Sequence, residues 1–125
     1  MGHVFTPAEA RALLPEVLTR AKKLITLRAD LVELEAALAQ GIPVPQLGGL
    51  PEAKGFQAQL SELLGWFPEH GLELKSIAPL LLDFPAEMDG EPVLLCWLEG
   101  EQELIWYHKP EHGFAGRRLI PARLG

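Results

Sequence analysis

The stretch Val93–Leu119, V-L-L-C-W-L-E-G-E-Q-E-L-I-W-Y-H-K-P-E-H-G-F-A-G-R-R-L, decides how the chain is read. It holds the only cysteine, the only tyrosine, two of the three tryptophans and an Arg-Arg pair. Val93–Leu98 and Glu103–His108 flank the polar Glu99-Gly100-Glu101-Gln102, which is the pattern of a β-hairpin. A symmetric turn sets Cys96 opposite Ile105 and Leu94 opposite Tyr107. Side chains alternate across a strand, so Val93, Leu95, Trp97, Leu104, Trp106 and His108 are expected on one face. Leu94, Cys96, Leu98, Ile105 and Tyr107 take the other, which is the simpler core face. The Trp97/Trp106/His108 face is amphipathic, with ring N–H groups that need partners if buried.

Outward from the hairpin, Asp89-Gly90 marks a tight turn. Leu80-Leu81-Leu82-Asp83-Phe84, closed by Pro85, and the alternating Leu72-Glu73-Leu74-Lys75 read as two more strands. Further upstream the period changes to that of helices. Thr6-Pro7-Ala8-Glu9 is a capping box with proline in the first turn, and Phe5 before it suits a hydrophobic staple. The helix is expected to run to about Gln40 and stop at Gly41, with Pro15 kinking it or splitting off a short first piece. Val17, Leu24, Leu27, Leu31, Leu34 and Leu38 form a coiled-coil-type seam in which Arg20 fills the missing slot. Leu14, Leu18, Ile25 and Val32 form a second stripe beside it. At about 1.5 Å per residue such a helix is roughly 50 Å long. A helix with that length and two stripes needs two neighbours, so a homodimer through the helices is expected. Ile42–Gly55, with three prolines and three glycines, reads as a loop. A second helix, about Glu52–Phe67, ends at Pro68 and pairs antiparallel with the first. The expected fold is α+β: one domain over residues 1–125, with a long helical hairpin (about 6–67) packed with a three- to four-stranded antiparallel sheet (about 72–120).

Bulk properties narrow the function. With 48% apolar and 22% charged residues the chain is globular. No apolar run approaches the ~20 residues that a membrane helix needs, and with no basic region followed by an apolar run at Met1–Pro7 no signal peptide is expected. A single cysteine fits a reducing compartment, so a cytoplasmic location is expected. The net charge of −6 argues against nucleic acid as a partner, since that affinity comes mostly from phosphate neutralisation. The excess acid lies between residues 41 and 92, whereas Lys109–Gly125 carries four basic residues against one acidic. A small anionic ligand or a protein partner therefore remains open.

Five blocks of the sequence carry a resemblance: F-T-P-A-E-A-R-A-L-L-P at the start, then D-F-P-A, D-G-E-P-V-L-L-C-W-L-E-G-E, W-Y-H and G-F-A-G-R. Together they resemble a small bacterial family of unknown function whose members are sometimes labelled division initiation proteins. The resemblance covers nearly the whole chain and implies a small cytoplasmic protein, with no catalytic assignment. The family pattern has Gly-Leu before D-F-P. Here leucines stand in that place, so Pro79 is expected to supply the turn.

The candidate ligand-binding residues are Asp83, Trp97, Glu101, Trp106, His108 and Arg117. His112-Gly113-Phe114-Ala115-Gly116-Arg117-Arg118 combines flexible backbone amides with guanidiniums, a way to present donors to a phosphate or carboxylate. The competing reading pairs Arg117 with Asp83 or Glu101 and leaves the glycines to turn the chain. Metal binding is a further alternative, because Asp83, Cys96, Glu101, His108 and His112 are all ligand types. Against it, Pro110 and Gly113 break the helix that His108-x-x-x-His112 would need, and the symmetric hairpin turns Cys96 away from His108. The same register argues against a Cys96–His108 nucleophile pair. No cofactor and no metal is expected. A non-enzymatic dimeric interaction module is the leading expectation, with ligand binding, enzymatic or not, as the alternative.

Overall fold

A computed structural model describes residues 3–41 and 50–124. Two compact units divide the chain. One comprises the residues up to Leu18 together with those from Phe67 onward, and the other is Thr19–Trp66. The first helix, α1 (Pro7–Gln40), belongs to both, and the second, α2 (Leu50–Glu69), follows it. Five strands make one antiparallel sheet in the order of the chain: β1 (Glu73–Ile77), β2 (Leu80–Met88), β3 (Glu91–Leu98), β4 (Trp106–His108) and β5 (Arg118–Leu119). The fold is α+β, with one strand beyond the three or four expected.

The start of α1 is the expected capping box. Glu9 N donates to Thr6 Oγ1 at 3.1 Å, and Thr6 N donates to Glu9 Oε1 at 2.8 Å. That second bond holds the Glu9 carboxyl below its usual pKa. The helix runs unbroken through Pro15 and stops at Gly41, whose φ of 71° is the left-handed conformation glycine adopts at low cost. Its buried stripe is Ala10, Leu14, Val17, Ala21, Leu24, Leu31 and Leu34. Ala21, not Arg20, fills the slot between Val17 and Leu24. Arg20 instead lays its guanidinium over the ring of Trp66, 4.4 Å from its centre. In the Thr19–Trp66 unit, Leu31, Leu34 and Ala53 form a core flanked by Phe56 and Leu60, and Gln57 Nε2 donates to Glu35 at 2.9 Å. The Ile42–Gln46 part of the expected loop lies outside the described residues, as do the next three positions, and α2 already begins at Leu50. It also continues through Pro68 to Glu69, two residues past the expected stop.

The sheet differs from expectation at two informative places. Pro85 does not close β2, which continues to Met88. The Pro85 carbonyl accepts from Phe5 N at 2.7 Å, on the strand edge away from β3. N–H and C=O of one residue project to the same side of a strand, so the donor that proline lacks costs no β2–β3 bond. Phe5 is thereby drawn onto the sheet, where its ring meets Phe84 edge-on at 5.4 Å. The second difference is register. β3 and β4 are joined by seven residues, Glu99–Ile105, and Cys96 pairs with Trp106, not Ile105. A slip of one residue turns every side chain of a strand to the opposite face. Trp106 and His108 therefore share a face with Leu94 and Cys96.

Elsewhere the turns follow the residues. Asp89 (φ 53°) and Gly90 (φ 80°) make a two-residue turn between the paired Met88 and Glu91. Ala78-Pro79, a cis peptide, joins the paired Ile77 and Leu80. One sheet face carries Leu80, Leu82, Phe84, Ala86 and Met88 beside Val93, Leu95 and Trp97, all buried. The other carries Asp83, Leu94, Cys96, Trp106 and His108.

Candidate functional site

The register places Asp83 directly across from Cys96 on the β2–β3 ladder, and His108 across from Leu94, one diagonal step from Cys96. Opposed residues on one sheet face lie close enough for direct side-chain interaction, and the diagonal neighbours remain within reach. Asp83 is 2% exposed, Cys96 0% and His108 4%. One potential ligand atom from each lies within 4.8 Å of the other two. Cys96 was expected to point away from His108. The structure corrects this, and the cause is the seven-residue connection.

Hydrogen bonding orients the group. His108 Nδ1 lies 2.8 Å from the Lys109 carbonyl oxygen. A carbonyl only accepts, so this nitrogen carries the proton. Nε2 faces Asp83 Oδ2 at 3.1 Å. Asp83 Oδ1 is buried and has no hydrogen-bond partner among the described residues. Burial raises the Asp83 carboxyl above its ordinary pKa, against the lowering effect of His108 and, less strongly, Lys75 and Cys96. Burial likewise pushes the Cys96 thiol up to about 11, despite a hydrogen bond from Arg117 that works the other way. A thiol so far from ionising is a poor nucleophile at neutral pH. Both His108 nitrogens, moreover, already face other groups.

Beside this trio the chain folds back over the sheet. After β4, a 3₁₀ turn at Phe114–Gly116 brings Arg117 over the outer face. Gly116 is required there, since a Cβ at this position would come 2.5 Å from the Cβ of His112. The Arg117 guanidinium lies 4.6 Å from the ring centres of both Trp106 and Phe114. It donates to Glu101 Oε1 at 3.2 Å and Oε2 at 2.8 Å, and to Cys96 Sγ at 3.8 Å. Partial burial works against the charge, but the Glu101 and Cys96 hydrogen bonds outweigh it and raise the Arg117 pKa. Glu101 is fastened in turn by Leu98 N, which donates to Oε1 at 2.7 Å.

Of the six expected site residues, five gather on this face in two linked groups. Asp83 pairs with His108, and Glu101 with Arg117 above Trp106, with Cys96 between the groups. Trp97 stands apart. Its side chain is on the opposite face, buried, and its Nε1 donates to the Glu101 carbonyl at 2.9 Å. Cys96, weighed as a ligand type but assigned to the core by the expected register, and Phe114, which completes the stack on Arg117, join the other five.

A family model described as an uncharacterized conserved protein, DUF2203, matches residues 3–120. The chain belongs to that family. No curated protein matches it, and no solved structure does. The DUF2203 match spans both units and every residue of the buried trio. Its description names neither an activity nor a role in division. Among the described residues, no helix is long and apolar enough to cross a membrane.

Proposed function

We propose that this DUF2203 protein is a non-enzymatic interaction module that dimerises through the Thr19–Trp66 unit, its two helices forming an antiparallel hairpin. The observation that carries the reading is the second apolar stripe of α1. Val32 is 62% exposed, while Ile25 on the same stripe is half-buried, and Leu38 at the end of the first seam is 39% exposed. Large aliphatic side chains repeating at seven-residue intervals on a helix make a seam for another helix. The Arg20–Trp66 and Glu35–Gln57 contacts support antiparallel pairing of α1 and α2 within one chain. That pairing leaves the Ile25/Val32 stripe for a second copy. Fully covering a side chain of this kind is worth roughly 1.5–3 kcal/mol.

The alternative, a small anionic ligand on the sheet face, has less support. The Arg117 nitrogens that would clamp an anion already bind Glu101. The test is solution mass by light scattering at micromolar concentration. Twice the 13.8 kDa chain mass is expected, falling to the monomer value in Val32→Glu. A monomeric unsubstituted protein rules the dimer out.

A further inference from the structure

We propose that Asp83, Cys96 and His108 form a buried site for one thiophilic divalent cation, of the class to which zinc belongs. This goes beyond the helical interaction reading and does not depend on it.

Four observations converge on the site. The first is composition and proximity: a carboxylate, a thiol and an imidazole within 4.8 Å of one another, all essentially inaccessible to water. Zinc bonds of about 2.0–2.3 Å place tetrahedral donor atoms roughly 3.3–3.8 Å apart. The 4.8 Å limit on the present separations lies about 1 Å above that spacing. The second is the Asp83 carboxylate, whose Oδ1 is buried with no hydrogen-bond partner among the described residues. Buried polar oxygens are rarely left so, and a cation held among the three side chains is the partner this one lacks.

The third is the orientation of His108. With Nδ1 donating to the Lys109 carbonyl, the Nε2 lone pair is directed at Asp83. That is the arrangement by which a backbone carbonyl fixes a metal-binding histidine. A cation between Nε2 and Oδ2 takes the place of the single proton they otherwise share. The fourth is charge. One divalent cation with a thiolate and a carboxylate is neutral, and Glu101 already neutralises Arg117 beside the sulfur. The Arg117 guanidinium also favours the thiolate that a metal requires.

The donor set selects the ion. A thiolate with an imidazole and one carboxylate suits zinc, cobalt or copper and disfavours magnesium and calcium, which prefer all-oxygen cages. Three protein donors leave a fourth coordination position for water or another small ligand.

The test uses the full chain, treated with a chelator and titrated with Co²⁺ as a spectroscopic probe. One equivalent should give a thiolate-to-cobalt charge-transfer band together with visible bands of tetrahedral intensity, and Zn²⁺ should abolish both. Cys96→Ser should remove the charge-transfer band, and Asp83→Asn should weaken Co²⁺ binding at least tenfold. Native mass spectrometry of protein purified without chelator gives a readout independent of any variant. It should show a mass increment of one metal ion that is absent after chelation. Two results overturn the proposal. One is unsubstituted protein that binds Co²⁺ without a thiolate band, which marks adventitious binding at exposed histidines. The other is a folded Cys96→Ser variant that binds as tightly as the parent.

Discussion

Replacing His108 by leucine tests the energetic account of the outer sheet face most directly. His108 and Asp83 are 4% and 2% exposed, and the 3.1 Å Nε2–Oδ2 contact is the strongest partner of the Asp83 carboxyl among the described residues, beside a weaker interaction with the Cys96 thiol. The substitution leaves the carboxyl group with only the weak Cys96 interaction. Removing one member of a buried pair costs about 3–5 kcal/mol, because the remaining charge has lost both water and partner. The converse change, Asp83→Leu, should cost less. His108 keeps its Nδ1 bond to Lys109, and only an acceptor nitrogen is left bare, a loss of about 1–2 kcal/mol. The double substitution removes both polar groups and should cost less than the sum of the two, with a coupling of about 2–3 kcal/mol. The assay is urea unfolding at pH 7 with excess chelator, followed by tryptophan fluorescence, and the slope should stay unchanged. A loss under 1 kcal/mol for His108→Leu, or a double variant at least as damaged as the sum, would falsify this account.

Three further outcomes follow from the same geometry. Thr6→Ala removes the cap on α1 and should cost about 1 kcal/mol of stability, with Thr6→Ser recovering most of it; equal losses in the two variants would contradict the capping assignment. Gly116→Ala should displace His112 and lift the turn over Trp106, read as increased solvent quenching of tryptophan fluorescence; an unchanged spectrum and stability would show that the 2.5 Å approach is relieved at no cost. In chelator-treated protein the Cys96 thiol should resist alkylation at pH 8 until the chain unfolds. Its folded pKa of about 11 lies above the ordinary 9.0, so its contribution to stability is complete below pH 9 and is lost as pH rises toward 11. Cys96→Ala should flatten that alkaline decline, and an identical decline in both proteins assigns it to other groups.

Much of the architecture was legible from local signals. The Thr6/Glu9 box and Gly41 bound α1 because capping is chemistry between near neighbours. Asp89-Gly90 set its hairpin because few residue pairs tolerate positive φ at adjacent positions. Trp106, His108, Arg117, Asp83 and Glu101 could be picked out as candidates because they are residue types that need partners wherever they are buried. The errors share one cause. Pro85 was read as a strand end, but its cost depends on which edge the missing N–H faces, and Phe5, eighty residues upstream, lies on that edge. Arg20 was placed in the seam by spacing alone, although Ala21 occupies the slot and Trp66 receives the guanidinium.

The sequence by itself determined the two periods, the caps and turns, and the gathering of polar and aromatic residues in Val93–Leu119. Tertiary structure alone decided which of those residues meet. The seven-residue connection Glu99–Ile105 is held by a side chain, Glu101, bonding back to Leu98 N and out to Arg117. A connection fixed that way has no signature in local propensity. Yet it sets the register of β4, and with it whether His108 faces the core or faces Asp83 and Cys96. One residue of register separates a buried cysteine from a cluster of three potential ligands, because the faces of a strand exchange with every step along it.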